Sequence, residues 1–412
     1  MICRTVLLLP LSSNVEPVHY SASRGTVVAS LTRHKWELLA CVATLVLVPL
    51  LITWLWETAR NYISTLGLES LLERSSGLGW TDIGWAVASS AGLLQDGVSP
   101  YDPLASIGPL IGMPTSSLDV GIHTHPPTSL ALWLPLTLAP YTSWIAFWMV
   151  ASALMIAWSM RLLGVSVHLA YPIAVAVSLS PPGRWALFSS YCLSALLIAL
   201  AWRLRLAGRS GAGVVLGVFA AIRGVGAIML LDLALHRKWR SLILGIITLT
   251  VLVALAVLLQ PNVVCQWLTV SQDEISQLTA RYDLITPASI FDSLGIPIPV
   301  LWLLIGLVAL VAMRRGSDSF WVFNWLVLAL SPIAWFHASI QAIPLLTMLW
   351  KAGRFGHTLV LIVAASALVS LADPITTAVT RPIWPVTVLV IGLGLVLVPV
   401  GRKQPTREHQ NA

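Results

Sequence analysis

Long runs without charged residues divide this sequence and limit the folds that it can adopt. The first extends from Leu38 to Trp56, between Glu37 and Glu57. A helix needs roughly 20 mostly apolar residues to cross a bilayer, and in lipid only helices and closed barrels satisfy their backbone hydrogen bonds. We therefore predict an all-α polytopic membrane protein with about ten transmembrane helices. Nine further runs lie at about 141–160, 167–183, 185–202, 241–260, 297–313, 319–336, 338–350, 357–372 and 383–401.

The composition agrees with a membrane protein and excludes other classes. Hydrophobic residues make up 57% of the 412 residues and charged residues only 10%, whereas about a quarter of the residues of soluble domains are charged. A soluble enzyme is excluded. The net charge of +7 is typical of Lys and Arg gathered on the cytoplasmic side, so we expect no nucleic-acid partner. The spacing of the four cysteines predicts neither a disulfide nor a metal site, and a need for a divalent metal stays open.

Charge also predicts the sidedness of the chain. Residues 57–125 contain seven acidic residues against Arg60 and Arg74, the reverse of a cytoplasmic loop, so we place this first loop outside. The protein is then expected in the plasma membrane with both termini cytoplasmic. The predicted organisation is a cytoplasmic N-terminal tail at 1–36, a multi-helix membrane domain at 37–401, a later outer loop at 261–296 and a cytoplasmic tail at 402–412.

Two apolar segments do not fit as spans and predict short or re-entrant helices. Residues 126–140 are short and contain four prolines, so we predict a half-buried helix that returns to the outer face. Residues 211–235 have basic clusters on both sides and Arg223 in the middle. A re-entrant hairpin with Arg223 at its tip keeps both basic clusters on the cytoplasmic side.

Three kinds of polar residue could carry chemistry. Asp82 lies in residues 79–85 (GWTDIGW), and a carboxylate near the membrane surface can act as a general base; the alternatives are a solvated loop acid or a helix cap. His125 and His337 are predicted on the same side, where they could bind phosphate or orient a base, or simply be surface groups. An arginine within apolar sequence needs a partner, so Arg223 faces an anionic head group, pairs with Asp232 or snorkels to water.

Three short motifs then connect the chain to a known family. They are residues 93–102 (LLQDGVSPYD), 125–136 (HPPTSLALWLPL) and 331–337 (SPIAWFH), which follow the Asp82 segment. In this order they resemble the superfamily C membrane glycosyltransferases, most of all the actinobacterial polyprenyl-phosphate-mannose-dependent α-mannosyltransferases that include phosphatidylinositol-mannoside mannosyltransferases. Together the motifs span about two thirds of the chain.

The resemblance implies a function and roles for individual residues. The protein would move a sugar, foremost mannose, from a polyprenyl-phosphate donor to a cell-envelope glycolipid or polysaccharide on the extracytoplasmic side, with inversion. Asp82 would be the catalytic base. The implied partners are membrane lipids, the lipid-linked donor and the acceptor, with no certain cofactor. The implied substrate-binding residues are His337, Arg223, His125, Tyr101 and Asp102.

Departures from the family pattern leave alternatives open. Ala338 replaces a second histidine that the family often has, and Arg223-Gly224 replaces a lysine followed by proline. A transferase that uses decaprenyl-phosphate arabinose therefore remains a second reading. Arg223 and the broken helices beside it also allow a transporter or flippase of lipid-linked saccharides, although no internal repeat supports one. A non-catalytic partner of an envelope-synthesis complex is the third.

Overall fold

The fold is helical throughout the part of the chain that the computed structural model describes. That part comprises residues 82–113, 125–179, 186–278, 297–331, 340–353, 383–398 and 400. It contains no strand, so the all-α prediction is confirmed there. The predicted spans at 38–56 and 357–372 and both predicted tails lie outside these residues.

The helices follow one another with short connections. The first half of the described chain contains α1 Asp82–Gly92, α2 Leu104–Ile107, α3 Pro127–Trp133, α4 Tyr141–Leu162, α5 Val167–Leu179, α6 Tyr191–Leu206 and α7 Gly211–Ile222. The second half contains α8 Leu230–Leu235, α9 Trp239–Leu259, α10 Val263–Leu278, α11 Ile298–Arg314, α12 Ser319–Leu330, α13 Ile343–Lys351 and α14 Ile383–Leu397. Short 3₁₀ segments extend α2 and α3 and join α7 to α8, at Gly108–Ile111, Leu134–Leu138 and Gly224–Met229.

Two described helices are long and apolar enough to cross a membrane. They are Ser143–Leu162 within α4 and Trp239–Leu259, which is α9. Most of the α9 surface is not covered by protein, and Leu258 is 81% exposed. A helix with such an apolar, uncovered surface is typical of lipid contact. The other apolar helices among the described residues are shorter, so the predicted count of ten spans is not confirmed.

Several element boundaries differ from the sequence prediction. The run at 319–336 was predicted as one span, but α12 ends at Leu330. Ser331 precedes Pro332, and a residue before proline disfavours the helical conformation. The two predicted outer loops also contain helices. The first includes the buried helix α1, and the later one begins with α10, because both segments carry apolar residues at helical spacing between their charged ones.

Helices α7 and α9 pack against each other almost backbone to backbone. Gly213 and Gly217 lie one turn apart on α7 and face Ser241 and Gly245 of α9. A Cβ atom on Gly213 would overlap the backbone of Ser241, and one on Gly217 would lie 2.7 Å from the Gly245 carbonyl oxygen. Small residues at such spacing allow close helix crossings in membranes. This contact fixes α7, and therefore the residue that follows it, against the apolar helix α9.

A buried cluster of charges joins three other helices at the opposite end of α7. Arg205 of α6 donates to both carboxylate oxygens of Asp232 in α8, at 2.6 and 3.1 Å, and lies 2.9 Å from Asp318. Ser319 also donates to Asp232, at 2.6 Å. The Asp232 side chain is fully buried, so the bidentate pair compensates its charge. The alternative in which Asp232 pairs with Arg223 is therefore wrong.

The glycine contact predicts a large difference between two identical substitutions. Gly213→Ala should lower the melting temperature of the purified protein by several degrees, because overpacking of this kind costs about 1–3 kcal/mol. Gly306→Ala on α11 is the control, since a Cβ there meets nothing within 4 Å and alanine favours the helix. Thermal unfolding in detergent measures both. Equal melting temperatures for the two variants would contradict the close crossing.

Candidate active site

Asp82 lies in the first turn of a buried helix. Helix α1 begins at Asp82, and its residues from Ala86 to Gly92 are buried. The amide of Ile83 donates to the carbonyl of Phe188 at 3.0 Å, which ties the start of the helix to the turn before α6. A carboxylate in the first turn also interacts favourably with the helix dipole. Asp82 is therefore held by a rigid element, and a solvated loop acid is not what the structure shows.

Arg223 reaches Asp82 from the end of α7. The chain leaves the helix after Ile222, and Arg223 itself has an extended backbone with φ −123° and ψ 96° before the 3₁₀ segment begins. One terminal nitrogen of the Arg223 guanidinium lies 3.7 Å from Asp82 Oδ2. The arginine thus stands at a break between two helical segments, as the hairpin prediction requires, and provides a positive charge beside the carboxylate.

Ser190, which precedes α6, and Tyr191, its first residue, hold the guanidinium of Arg223. Its terminal nitrogen donates to Ser190 Oγ at 2.9 Å, and its central carbon lies 3.6 Å from the centre of the Tyr191 ring. Sequence reasoning assigned neither residue a role. The signal that could have found them is the polar pair Ser189-Ser190 inside an otherwise apolar run.

His125 completes the group around Asp82. Its Nε2 lies 3.9 Å from Asp82 Oδ1, and its side chain is only 12% exposed. Burial, with a smaller contribution from the charge of Arg223, lowers the pKa of His125 to about 3. The imidazole is therefore neutral at physiological pH, and its contact with Asp82 is polar rather than ionic.

Tyr101 and Asp102 support the site from the neighbouring loop. The buried phenol of Tyr101 donates to the backbone carbonyl of His125 at 3.1 Å, and burial raises the pKa of the Tyr101 hydroxyl well above its usual range. Asp102 Oδ2 accepts a hydrogen bond from the amide of Ser99 at 2.9 Å, so this carboxylate closes a turn. Tyr101 therefore contacts the His125 segment, whereas Asp102 shapes the loop. His337 lies outside the described residues.

Among the buried polar atoms of the site, Asp82 Oδ2 and Arg223 Nε form no hydrogen bond within the described part of the chain, although Asp82 Oδ2 lies 3.7 Å from a terminal nitrogen of Arg223. In native proteins, buried polar atoms nearly always have a hydrogen-bond partner. Both atoms therefore keep an unused hydrogen-bonding capacity, the carboxylate oxygen as an acceptor and the guanidinium nitrogen as a donor. Their arrangement suits a ligand that carries both a hydroxyl and an anionic group.

The described ranges offer little for a metal ion. Within them, no group of three His, Cys, Asp or Glu side chains is arranged to hold one. The positive charge beside Asp82 comes instead from the side chain of Arg223.

Comparison with known proteins identifies the enzyme class. Residues 123–319, just under half of the chain, match the family described as Glycosyltransferase family 87. The matched segment includes His125 and Arg223. No curated protein and no solved structure matches the chain. The match indicates a glycosyltransferase activity, so the enzyme class predicted from the sequence is confirmed, while the mannosyltransferase subfamily is not.

The low pKa of His125 predicts a pH dependence of stability. In the unfolded chain its pKa is about 6.5, against about 3 in the folded protein, so between these values only the unfolded state binds the proton. His125 therefore does not lower the free energy of unfolding above about pH 6.5, and it lowers that free energy increasingly as the pH falls below this value. At pH 5 the loss from this residue is about 2 kcal/mol.

The change to test is His125→Asn, which removes the titrating group. The melting temperature in detergent should fall less between pH 7.5 and pH 5 in this variant than in the wild type. Identical decreases in both proteins would show that His125 takes up its proton in the folded state as readily as in the unfolded chain.

Proposed function

We propose that this protein is a membrane glycosyltransferase that moves a sugar from a polyprenyl-phosphate donor to a cell-envelope glycolipid or polysaccharide. The transfer would occur on the extracytoplasmic side, with inversion at the anomeric carbon, and mannose is the first sugar to test. The observation that carries the proposal is the meeting of Asp82, His125 and Arg223, which come from three distant segments, with Asp82 Oδ2 and Arg223 Nε forming no hydrogen bond among the described residues.

Asp82 is the proposed general base. Its Oδ2 accepts the proton of the acceptor hydroxyl while that hydroxyl oxygen attacks the anomeric carbon of the donor sugar. A new carbon–oxygen bond forms as the bond between the anomeric carbon and the phosphate oxygen breaks. The bonding electrons leave with the polyprenyl phosphate, and attack from the opposite face inverts the configuration. A β-linked donor thus gives an α-linked product.

Arg223 is the proposed ligand of the donor phosphate. Guanidinium groups suit phosphate because they remain charged and present several donors in one plane. The buried Nε of Arg223 has a free hydrogen, and its charge would stabilise the negative charge that collects on the leaving phosphate. The same guanidinium lies 3.7 Å from Asp82, so base and leaving-group ligand would act on two sides of one reacting centre.

His125, Tyr101 and His337 have proposed supporting roles. A neutral imidazole can donate one hydrogen bond and accept another, so His125 can orient a sugar or acceptor hydroxyl beside Asp82. Tyr101 holds the His125 backbone and contributes indirectly. His337 remains a candidate for contact with the donor on the strength of its motif alone, and Asp102 acts through the shape of its loop.

Lipid-linked substrates suit a protein with exposed apolar helices. The surface of α9 is largely uncovered, and α11 exposes Trp302 and Leu303 by 59% and 75%. Such surfaces favour a bilayer, where a polyprenyl chain also resides. Arabinofuranose from decaprenyl phosphate is the second donor to test, because Arg223-Gly224 and Ala338 depart from the mannosyltransferase pattern.

The proposal predicts that Asp82→Asn abolishes sugar transfer without unfolding the protein. The amide keeps the size of the side chain but is no base, and general-base catalysis contributes about 10²–10⁴-fold. The assay uses purified protein in lipid, radiolabelled polyprenyl-phosphate mannose or decaprenyl-phosphate arabinose, and an envelope-glycolipid acceptor fraction.

The matched control is Asp96→Asn, an exposed residue of the loop that follows α1. It should keep wild-type activity, and both variants should melt near the wild-type temperature. Full activity of Asp82→Asn would remove Asp82 as the base. A folded wild type that transfers neither sugar would overturn the proposed donors.

A further inference from the structure

The turn at residues 186–190 holds both halves of the candidate site. On one side, the carbonyl of Phe188 accepts a hydrogen bond from the amide of Ile83, next to Asp82. On the other side, Ser190 Oγ accepts from the guanidinium of Arg223, and the ring of Tyr191 lies beneath that guanidinium. One short segment is therefore in contact with the elements that carry the base and the cation.

The turn is itself fixed by buried hydrogen bonds. Ser189 Oγ donates to the carbonyl of Ala186 at 2.9 Å and accepts from the amide of Tyr191 at 3.2 Å. The indole of Trp148 in α4 donates to the carbonyl of Ser189 at 3.2 Å. The side chains of Ser189, Ser190 and Tyr191 are all buried. A segment with so many internal bonds can hold a partner at a constant position.

We propose that Ser190 and Tyr191 are positioning residues that hold the Arg223 guanidinium for the donor phosphate. The inference rests on the proposed function, and it adds the residues through which the phosphate ligand acts. The two contacts control different movements of Arg223. The face of the Tyr191 ring holds the centre of the guanidinium, and the bond to Ser190 Oγ holds one of its terminal nitrogens.

This arrangement keeps Arg223 available to the substrate. An arginine 3.7 Å from a carboxylate could rotate to form a close bidentate pair with it, and that pair would occupy both the base and the phosphate ligand. The guanidinium instead contacts Ser190 Oγ and the face of the Tyr191 ring, and neither Asp82 Oδ2 nor Arg223 Nε forms a hydrogen bond among the described residues. Tyr191 and Ser190 thus separate two groups of opposite charge that have to act on different parts of the substrate.

The test compares donor kinetics of Tyr191→Leu and Tyr191→Phe. Leucine removes the aromatic face, and we expect the KM for the polyprenyl-phosphate sugar to rise roughly 30-fold, which corresponds to the about 2 kcal/mol of one desolvated cation–π contact. The KM for the acceptor should not change. Phenylalanine keeps the stacking, so most of the donor affinity should return. Ser190→Ala should also raise the donor KM, by a smaller factor.

A double-variant experiment separates positioning from simple packing. If Tyr191 acts through Arg223, then Tyr191→Leu should add almost nothing to the donor defect of Arg223→Gln. A residue that only fills the core would add its full effect in both backgrounds and would lower the melting temperature. The control is Tyr171→Leu in α5. The hydroxyl of Tyr171 accepts a hydrogen bond from the indole of Trp158, away from Arg223, so this variant should leave the donor KM unchanged.

The outcomes distinguish this inference from the proposed function. A wild type that transfers no sugar overturns the proposed function, and the inference with it. A wild type that transfers sugar, with Tyr191→Leu folded and at the wild-type donor KM, overturns the positioning role alone. An equal loss in Tyr191→Phe and Tyr191→Leu would overturn the role of the ring face, because the phenol would then be the part that holds Arg223.

Discussion

The backbone contact between α7 and α9 is the constraint on which the site depends. Glycine at positions 213 and 217 lets the two helices approach until a methyl group no longer fits. Because α7 is held there, the break after Ile222 has a defined place in the bundle, and the arginine at that break meets α1 rather than lipid. A larger residue in the crossing would therefore displace Arg223 relative to α1.

The site itself depends on charge separation rather than charge neutralisation. Asp82 and Arg223 lie close enough to compensate each other electrostatically, but 3.7 Å is longer than a strong ion pair. The neutral imidazole of His125 adds no charge to the pair. An acceptor oxygen and a cationic nitrogen that form no hydrogen bond among the described residues are the two groups that the proposed transfer from a phosphate-linked sugar requires.

Some of these features can be predicted from the sequence, and others cannot. Uncharged runs predict the helical class, and the polar residues Asp82, His125 and Arg223 stand out against apolar surroundings, so the structure brings together residues that could be chosen in advance. The burial of α1 was not predictable, since its weak apolar pattern follows an acid-rich segment. The partner of Asp232 was not predictable either, because the sequence allows both Arg205 and Arg223, and only the packing of α6 beside α8 selects Arg205. Ser190 and Tyr191 acquire importance only through a residue more than 30 positions away.

The buried cluster of Arg205, Asp232 and Asp318 has a consequence for biosynthesis. Asp232 is made 27 residues after Arg205, and Asp318 is 113 residues from the same arginine. While the chain is being inserted, α6 presents a cation to its surroundings before either carboxylate exists. Within this cluster Arg205 therefore has no carboxylate partner until Asp232 has been made, and the cluster is complete only once Asp318 follows.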